Sequence, residues 1–214
     1  MTGIIDPALP PARGLFDPAL GHDACGVGFI AHVKNRKSHE IVQQGLQILL
    51  NLDHRGAVGA DPKLGDGCGI LVQISHGFFV EECAKLGFSL PAPQAYGIGQ
   101  FFMPRDAAAR AEAEAIVERV LSEEGLSLLG WRDTPVDSSD LGDAVKAVEP
   151  FMRQAFIGHG PNVKDEDEFE RRLFVARKCV SNAIYALGRR DMAEYYPVSM
   201  SCRTIVYKGM VLVS

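Results

Sequence analysis

Apolar and polar positions divide the chain into helical and extended segments. Apolar residues alternate with their neighbours from Val27 to Val33, which predicts a strand directly after Cys25. Helical spacing predicts helices over about 39–52, 107–124 and 166–186. The other predicted elements are strands at 70–74, 96–103, 126–131 and 203–207, with loops at 55–69 and 132–145. Helices placed between strands that can pair locally predict a layered α+β domain.

Residues at the predicted helix ends support these boundaries. Asp106 is suited to cap the second helix, and Gly125 is suited to end it. The acidic run 165–168 falls in the first turn of the third helix, where negative charge is favoured. The first helix has a broad apolar band, which predicts that neighbours cover much of its surface. Gly45 in that helix would permit close packing.

The two ends of the chain differ from its middle. Residues 1–24 contain several prolines and aspartates and have no apolar periodicity, so they are interpreted as a leader before a domain at 25–214. The last residues, 210–214, are mostly apolar, which is typical of a sequence interrupted within a hydrophobic segment.

Composition excludes several classes of protein. The net charge is only −5 and no basic stripe is present, so a nucleic-acid partner is not expected. No apolar run approaches the ~18 residues that cross a membrane, and the first 24 residues lack the apolar core of a secretory signal. The five cysteines are widely spaced, without zinc-site spacing, which favours a reducing, cytoplasmic location over a disulfide framework.

Cys25 is the first candidate for chemistry. It opens a predicted strand immediately after the leader. If the chain were cut after Ala24, Cys25 would carry both a thiol and a free α-amine, whose reference pKa is about 7.7–8.0. The amine can then act as the base for its own thiol. Gly26 and Gly28 would allow a substrate or a neighbouring backbone to approach, whereas the alternative reading is a buried, inert thiol.

A second candidate stretch follows the first predicted helix. Arg55 precedes a glycine-rich segment and offers a fixed fork of donors for a carboxylate or loop carbonyls. Asp61 and Asp66 are placed to bind loop amides or an ammonium group. The alternative is structural: His54 and Arg55 compensate a helix dipole, and the glycines and aspartates form turns. The sequence GDGCG at 65–69 lacks the Lys-Ser/Thr ending of a phosphate-binding loop.

Together, four motifs closely resemble the start of glutamate synthase large subunits. These are GHDACGVGFIA at 21–31, LDHRGA at 52–57, GDGCGIL at 65–71 and SCRTIVYKGM at 201–210. The resemblance extends from about residue 15 to residue 214. It implies an N-terminal class II glutamine amidotransferase domain with the αββα four-layer fold of N-terminal-nucleophile hydrolases.

The resemblance also implies a function. Residues 1–24 would be a propeptide, and Cys25 the nucleophile that hydrolyses glutamine to glutamate and ammonia. Arg55, Gly26 and Asp66 would support the site or bind substrate. The ammonia would aminate 2-oxoglutarate in later domains that contain FMN and an iron–sulfur cluster, with a small subunit as a further partner. No cofactor or metal is implied for the present segment.

The sequence departs from the family pattern in two ways. Cys68 stands where the family's GDGAG motif has alanine, a change we interpret as a packing variant. The family's RFSTNT-type substrate clamp and HNGEIN-type oxyanion hole do not occur in the sequence. Two alternatives therefore remain open: a non-catalytic interaction module with this fold, and an unrelated N-terminal-nucleophile amidase.

Overall fold

A computed structural model of the chain describes residues 13–14, 26–34, 36–52, 63 and 66–211. Its elements alternate between helices and strands. The helices are α1 (His39–Asn51), α2 (His76–Lys85), α3 (Ala107–Glu123), α4 (Asp143–Lys146) and α5 (Glu166–Tyr185), with a short 3-10 helix at Arg190–Met192. The strands are β1 (Asp66–Gln73), β2 (Tyr96–Met103), β3 (Ser127–Asp133), β4 (Phe151–Gly158), β5 (Tyr196–Ser201) and β6 (Thr204–Val211).

The described strands form two antiparallel sheets. The larger sheet has the order β3-β4-β2-β5, and the smaller one pairs β1 with β6. The chain passes from one sheet to the other at Cys202 and Arg203, between β5 and β6. The backbone N–H of Ile74 donates to the carbonyl of Arg203 at 3.1 Å, which fixes the end of β1 to this corner.

Both faces of the four-stranded sheet are buried. Side chains alternate along β2, so Phe101 and Met103 pack toward α3 and α5 while Ile98 points to the opposite face. On that opposite face, α2 contributes Phe79 and the two-stranded sheet contributes Ile205. A helical layer, a four-stranded sheet and a two-stranded sheet are therefore stacked in this order, which confirms the α+β class.

Local sequence explains the ends of the long helices. The side chains of Ser38, Asp106 and Asp165 each accept a hydrogen bond from a first-turn N–H, of α1, α3 and α5 respectively. Gly125 adopts a positive φ of 71° directly after α3, as the sequence predicts. The acidic run does occupy the start of α5, where it meets the positive end of the helix dipole.

The structure also corrects several expectations. No strand forms over 26–34, because alternation alone does not supply a hydrogen-bonding partner; Val27 and Phe29 are each 87% exposed. The prediction that α1 is covered is wrong, since none of its residues is fully buried and Leu50 is 69% exposed. Leu46, another residue of its apolar band, is 40% exposed.

The predicted loops are too long. Residues 66–69 belong to β1, since pairing from Asp66↔Val211 to Gln73↔Thr204 extends the strand through the glycines. Arg132 and Asp133 complete β3 by pairing with β4, and 143–146 form the short helix α4. The remaining part of the predicted loop at 55–65 lies almost entirely outside the described residues.

Candidate active site

The predicted site residues are described only in part. Cys25 and Arg55 lie outside the described residues, as does Asp61. Gly26 begins the described segment 26–34 and is exposed. Asp66 is the first residue of β1 and its backbone pairs with Val211, but its side chain is not described. The structure therefore describes chain segments next to the candidate residues, but not the side chains that are proposed to react.

Helix α1 contacts both described chain segments that lead to the candidate residues. A Cβ on Gly28 would collide with Cγ2 of Ile48, so the segment that follows Cys25 lies directly against α1. A Cβ on Gly45 would approach Cδ1 of Ile70 to 3.2 Å, which places α1 against β1. The contact at Gly28 leaves no room for a side chain, whereas the one at Gly45 is tight but would need only a small shift of the Ile70 side chain.

The smaller sheet also depends on a glycine of the GDGCG motif. A Cβ on Gly69 would lie 2.7 Å from the backbone oxygen of Tyr207, on the paired strand β6. Such an approach is closer than real Cβ atoms make, so the glycine is required by the backbone of β6. The motif therefore serves the β1–β6 pairing in addition to any role of Asp66.

The Gly28 contact gives a direct test of how the segment after Cys25 is held. We expect Gly28→Ala to weaken its attachment to α1 by about 1–3 kcal/mol, the usual cost of overpacking. The measurement is the rate of limited tryptic cleavage after Lys34, within the described segment 26–34. Ile48→Ala removes the colliding Cγ2 and is expected to restore protection in the double variant.

Gly77→Ala is the matched control, because a Cβ there meets nothing within 4 Å. An unchanged cleavage rate in Gly28→Ala, or a double variant no better protected than the single one, would show that this contact does not hold the segment.

The two buried cysteines are poor alternatives to Cys25 as nucleophiles. Cys68, Cys83, Cys179 and Cys202 are all free thiols, as expected without a disulfide framework. Burial raises the pKa of Cys83 to about 11. Burial, together with the hydrogen bond to Glu170, raises the pKa of Cys202 to about 12. A thiol that is protonated at neutral pH is not an effective nucleophile, so neither buried cysteine is suited to this role.

The structure also reveals a cavity that sequence reasoning missed. It has a volume of about 350 Å³ and lies at the end of β1 away from Asp66. Its lining residues are contributed by several separate segments: Lys37, Gln73, Ile74, His76, Pro93, Gln94, Tyr96, Glu166, Cys202 and Arg203. No local motif joins these residues, because only the tertiary fold brings them together.

Among the described residues, no group of three His, Cys, Asp or Glu residues is arranged to hold a metal ion. No helix in the same part of the chain combines the length and apolarity needed to cross a membrane.

Comparisons with known proteins identify close relatives. Residues 25–214 match the family model described as "Glutamine amidotransferases class-II". The chain is 42% identical over 203 residues to the glutamate synthase [NADPH] large chain of Bacillus subtilis, covering 95% of this chain and 13% of that protein. It is 39% identical over 209 residues to the glutamate synthase [NADH] of Schizosaccharomyces pombe, covering 95% of this chain and 10% of that protein.

A third relative is named for a different electron donor, ferredoxin. The ferredoxin-dependent glutamate synthase 2 of Synechocystis is 38% identical over 189 residues, which is 88% of this chain and 12% of that protein. The chain thus spans only 10–13% of the length of these three relatives. The resemblance inferred from the four motifs is confirmed, and with it the N-terminal-nucleophile hydrolase fold class. Glutamate synthases of Bacillus subtilis and Schizosaccharomyces pombe are among its relatives, and the chain belongs to the class II glutamine amidotransferases.

Proposed function

We propose that this chain is the glutaminase part of a glutamate synthase, with Cys25 as the nucleophile. The reaction is hydrolysis of the side-chain amide of glutamine to glutamate and ammonia. The observation that carries the proposal is that the family match begins at residue 25, which is the cysteine that follows the leader. The same observation supports the division into a propeptide at 1–24 and a domain from 25 onward.

Cys25 as a first residue would supply both the nucleophile and the base, whereas orientation of the substrate and stabilisation of the oxyanion need further groups. Its α-amine takes the thiol proton, and the sulfur adds to the amide carbon of glutamine. The carbon–nitrogen bond then breaks, and the nitrogen leaves as ammonia with the proton returned by the amine. Water hydrolyses the resulting thioester, which releases glutamate and regenerates the thiol.

Three neighbouring residues are proposed to support this reaction. Gly26 leaves room for substrate beside the nucleophile, in a segment held against α1 through Gly28. Arg55 follows the end of α1 by four residues, and its guanidinium is suited to a carboxylate or to loop carbonyls. Asp66 begins β1, which also contacts α1, and its carboxylate is suited to the ammonium group of the substrate. The contacts of α1 support a common location for the three segments.

The fate of the ammonia belongs to the wider proposal. In a protein with the domains of a glutamate synthase, ammonia would pass to a distant centre and convert 2-oxoglutarate to a second glutamate. FMN and an iron–sulfur cluster would belong to those domains. We place the protein in the cytoplasm, with glutamine, the synthase domains and a small subunit as partners. The relatives are named for NADPH, NADH and ferredoxin, so the electron donor is left open.

Removal of the leader tests the base that this mechanism requires. In the active protein, we expect the intact mass to show loss of residues 1–24, because only a free Cys25 provides the α-amine. A variant that retains the leader is expected to lose glutamine hydrolysis by at least about 100-fold, a typical contribution of general base catalysis. Ammonia release from glutamine is the measurement.

The control is the same protein produced with Cys25 as its first residue, which should be active without processing. A protein that is fully active while it retains Met1 would disprove the proposed base and the domain boundary together.

A further inference from the structure

We propose that the cavity at the far end of β1 is a second binding site, specific for a free α-amino acid. The site lies about 23 Å from Asp66 along the strand, since β1 rises roughly 3.3 Å per residue from Asp66 to Gln73. Its volume of about 350 Å³ lies within the range of small-molecule sites. The proposal does not depend on the chemistry assigned to Cys25.

Basic and amide groups in the cavity are suited to a carboxylate. Lys37 lines the cavity and forms no ion pair with any described residue. The side chains of Gln73 and Gln94 supply amide donors, and His76 shares a 3.2 Å hydrogen bond with the hydroxyl of Tyr96. An unpaired ammonium with several neutral donors is an arrangement that binds one carboxylate group.

Glu166 gives the cavity its selectivity. It is the first residue of α5, lies on the cavity wall, and accepts from Nε of Arg203 at 2.5 Å. Arg203 is also paired with Asp167, so its charge is already balanced by two carboxylates. A multiply charged anion such as phosphate would be repelled by Glu166. A ligand that carries an ammonium beside its carboxylate would satisfy both Glu166 and Lys37.

A turn with a defined backbone conformation forms part of the cavity wall. Ala95 donates its N–H to the carbonyl of Ala92, with Pro93 and Gln94 between them. Gln94 has a φ of +70°, a conformation usually left to glycine or asparagine at this place in a turn. Cys202 adds no charge, because burial holds its thiol protonated. Among the described residues, the lining thus combines amide side chains with Lys37, which has no ionic partner there, and with the ion pair of Glu166 and Arg203.

Nuclear magnetic resonance titration of this chain tests the proposal. The Cys25→Ala variant is used so that no hydrolysis occurs, and the signals are the His76 ring and the Gln94 side-chain amide. We expect L-glutamine and L-glutamate to shift both signals saturably, with Kd on the order of 1 mM, as expected for a few polar contacts. Glutarate, which lacks the ammonium, and inorganic phosphate are expected to bind at least about fivefold more weakly.

Lys37→Gln is expected to weaken amino-acid binding by up to about fivefold, the upper effect of one exposed ion pair. Lys34→Gln is the matched control, since Lys34 belongs to the same segment but does not line the cavity. It should leave binding unchanged. The proposal is overturned if neither amino acid gives a saturable shift, if glutarate or phosphate binds equally well, or if Lys37→Gln and Lys34→Gln behave alike.

Discussion

Replacing Gln154 with leucine is expected to lower the free energy of unfolding by about 2–4 kcal/mol. Gln154 lies in the centre of β4 and is fully buried. Its side-chain oxygen accepts from Arg132 at 3.0 Å, and its amide nitrogen lies 3.0 Å from Oε1 of Gln100 and 3.3 Å from the hydroxyl of Tyr207. Leucine preserves the volume approximately but breaks all three hydrogen bonds.

The cost arises from the partners that are left behind. Gln100 and Arg132 are themselves buried, so water cannot replace the lost hydrogen bonds without opening the fold. Tyr207 belongs to β6, so the same side chain joins the four-stranded sheet to the two-stranded sheet. Arg132 would retain its 2.7 Å ion pair with Glu82, which keeps the loss below that of an isolated buried charge.

Urea unfolding followed by circular dichroism measures this effect. Gln47→Leu makes the same chemical change on the exposed face of α1, where the amide only contacts Asn51. It is expected to change stability by no more than about 0.5 kcal/mol. Equal stability of the two variants would mean that the network is dispensable and that packing alone holds the sheets together.

Helices with clear caps were predictable from the sequence. The start of α3 follows from apolar spacing and from Asp106, whose side chain caps its first turn. The start of α5 follows from apolar spacing and from its acidic first turn, and Asp165, predicted within that turn, is instead its N-cap. Strand β2 was predicted over its full length, Tyr96–Met103, because an apolar run ends at Pro104. In these segments local propensity and tertiary packing favour the same structure.

The elements that were not predicted are those whose secondary structure depends on tertiary contacts. β4 is a central strand buried on both faces, so it shows no alternation, and its polar Gln154 interrupts the apolar run. β5 contains Pro197, which is tolerated because the strand lies at the edge of its sheet. Helix α2 is short and Ser75 makes no side-chain capping bond, so the helix has neither a long apolar pattern nor a capping residue that would predict it.

The candidate site is a different case. Cys25 and Arg55 were chosen from short motifs, and both lie outside the residues that the structure describes. Their roles therefore stay predictions. The cavity proposed to bind an amino acid could not be predicted from the sequence, because its residues come from distant parts of the chain and share no motif.

Substitution of Cys25 is expected to have the largest effect on activity. In a protein that joins this chain to synthase domains, Cys25→Ala should reduce glutamine-dependent glutamate synthesis by at least about 1,000-fold, because no other group replaces a missing nucleophile. Synthesis from added ammonia should stay within about twofold, since the thiol acts only on the amide of glutamine. Cys179→Ala is the matched control, a partly exposed thiol on α5 that should leave both activities unchanged.

The ratio of glutamine-dependent to ammonia-dependent synthesis in the Cys25→Ala protein is therefore the most direct measurement of the proposed function. The account predicts that this ratio falls by about three orders of magnitude or more while the ammonia-dependent rate is preserved. A ratio equal to that of the unmodified protein would contradict the assignment of Cys25 as the glutaminase nucleophile.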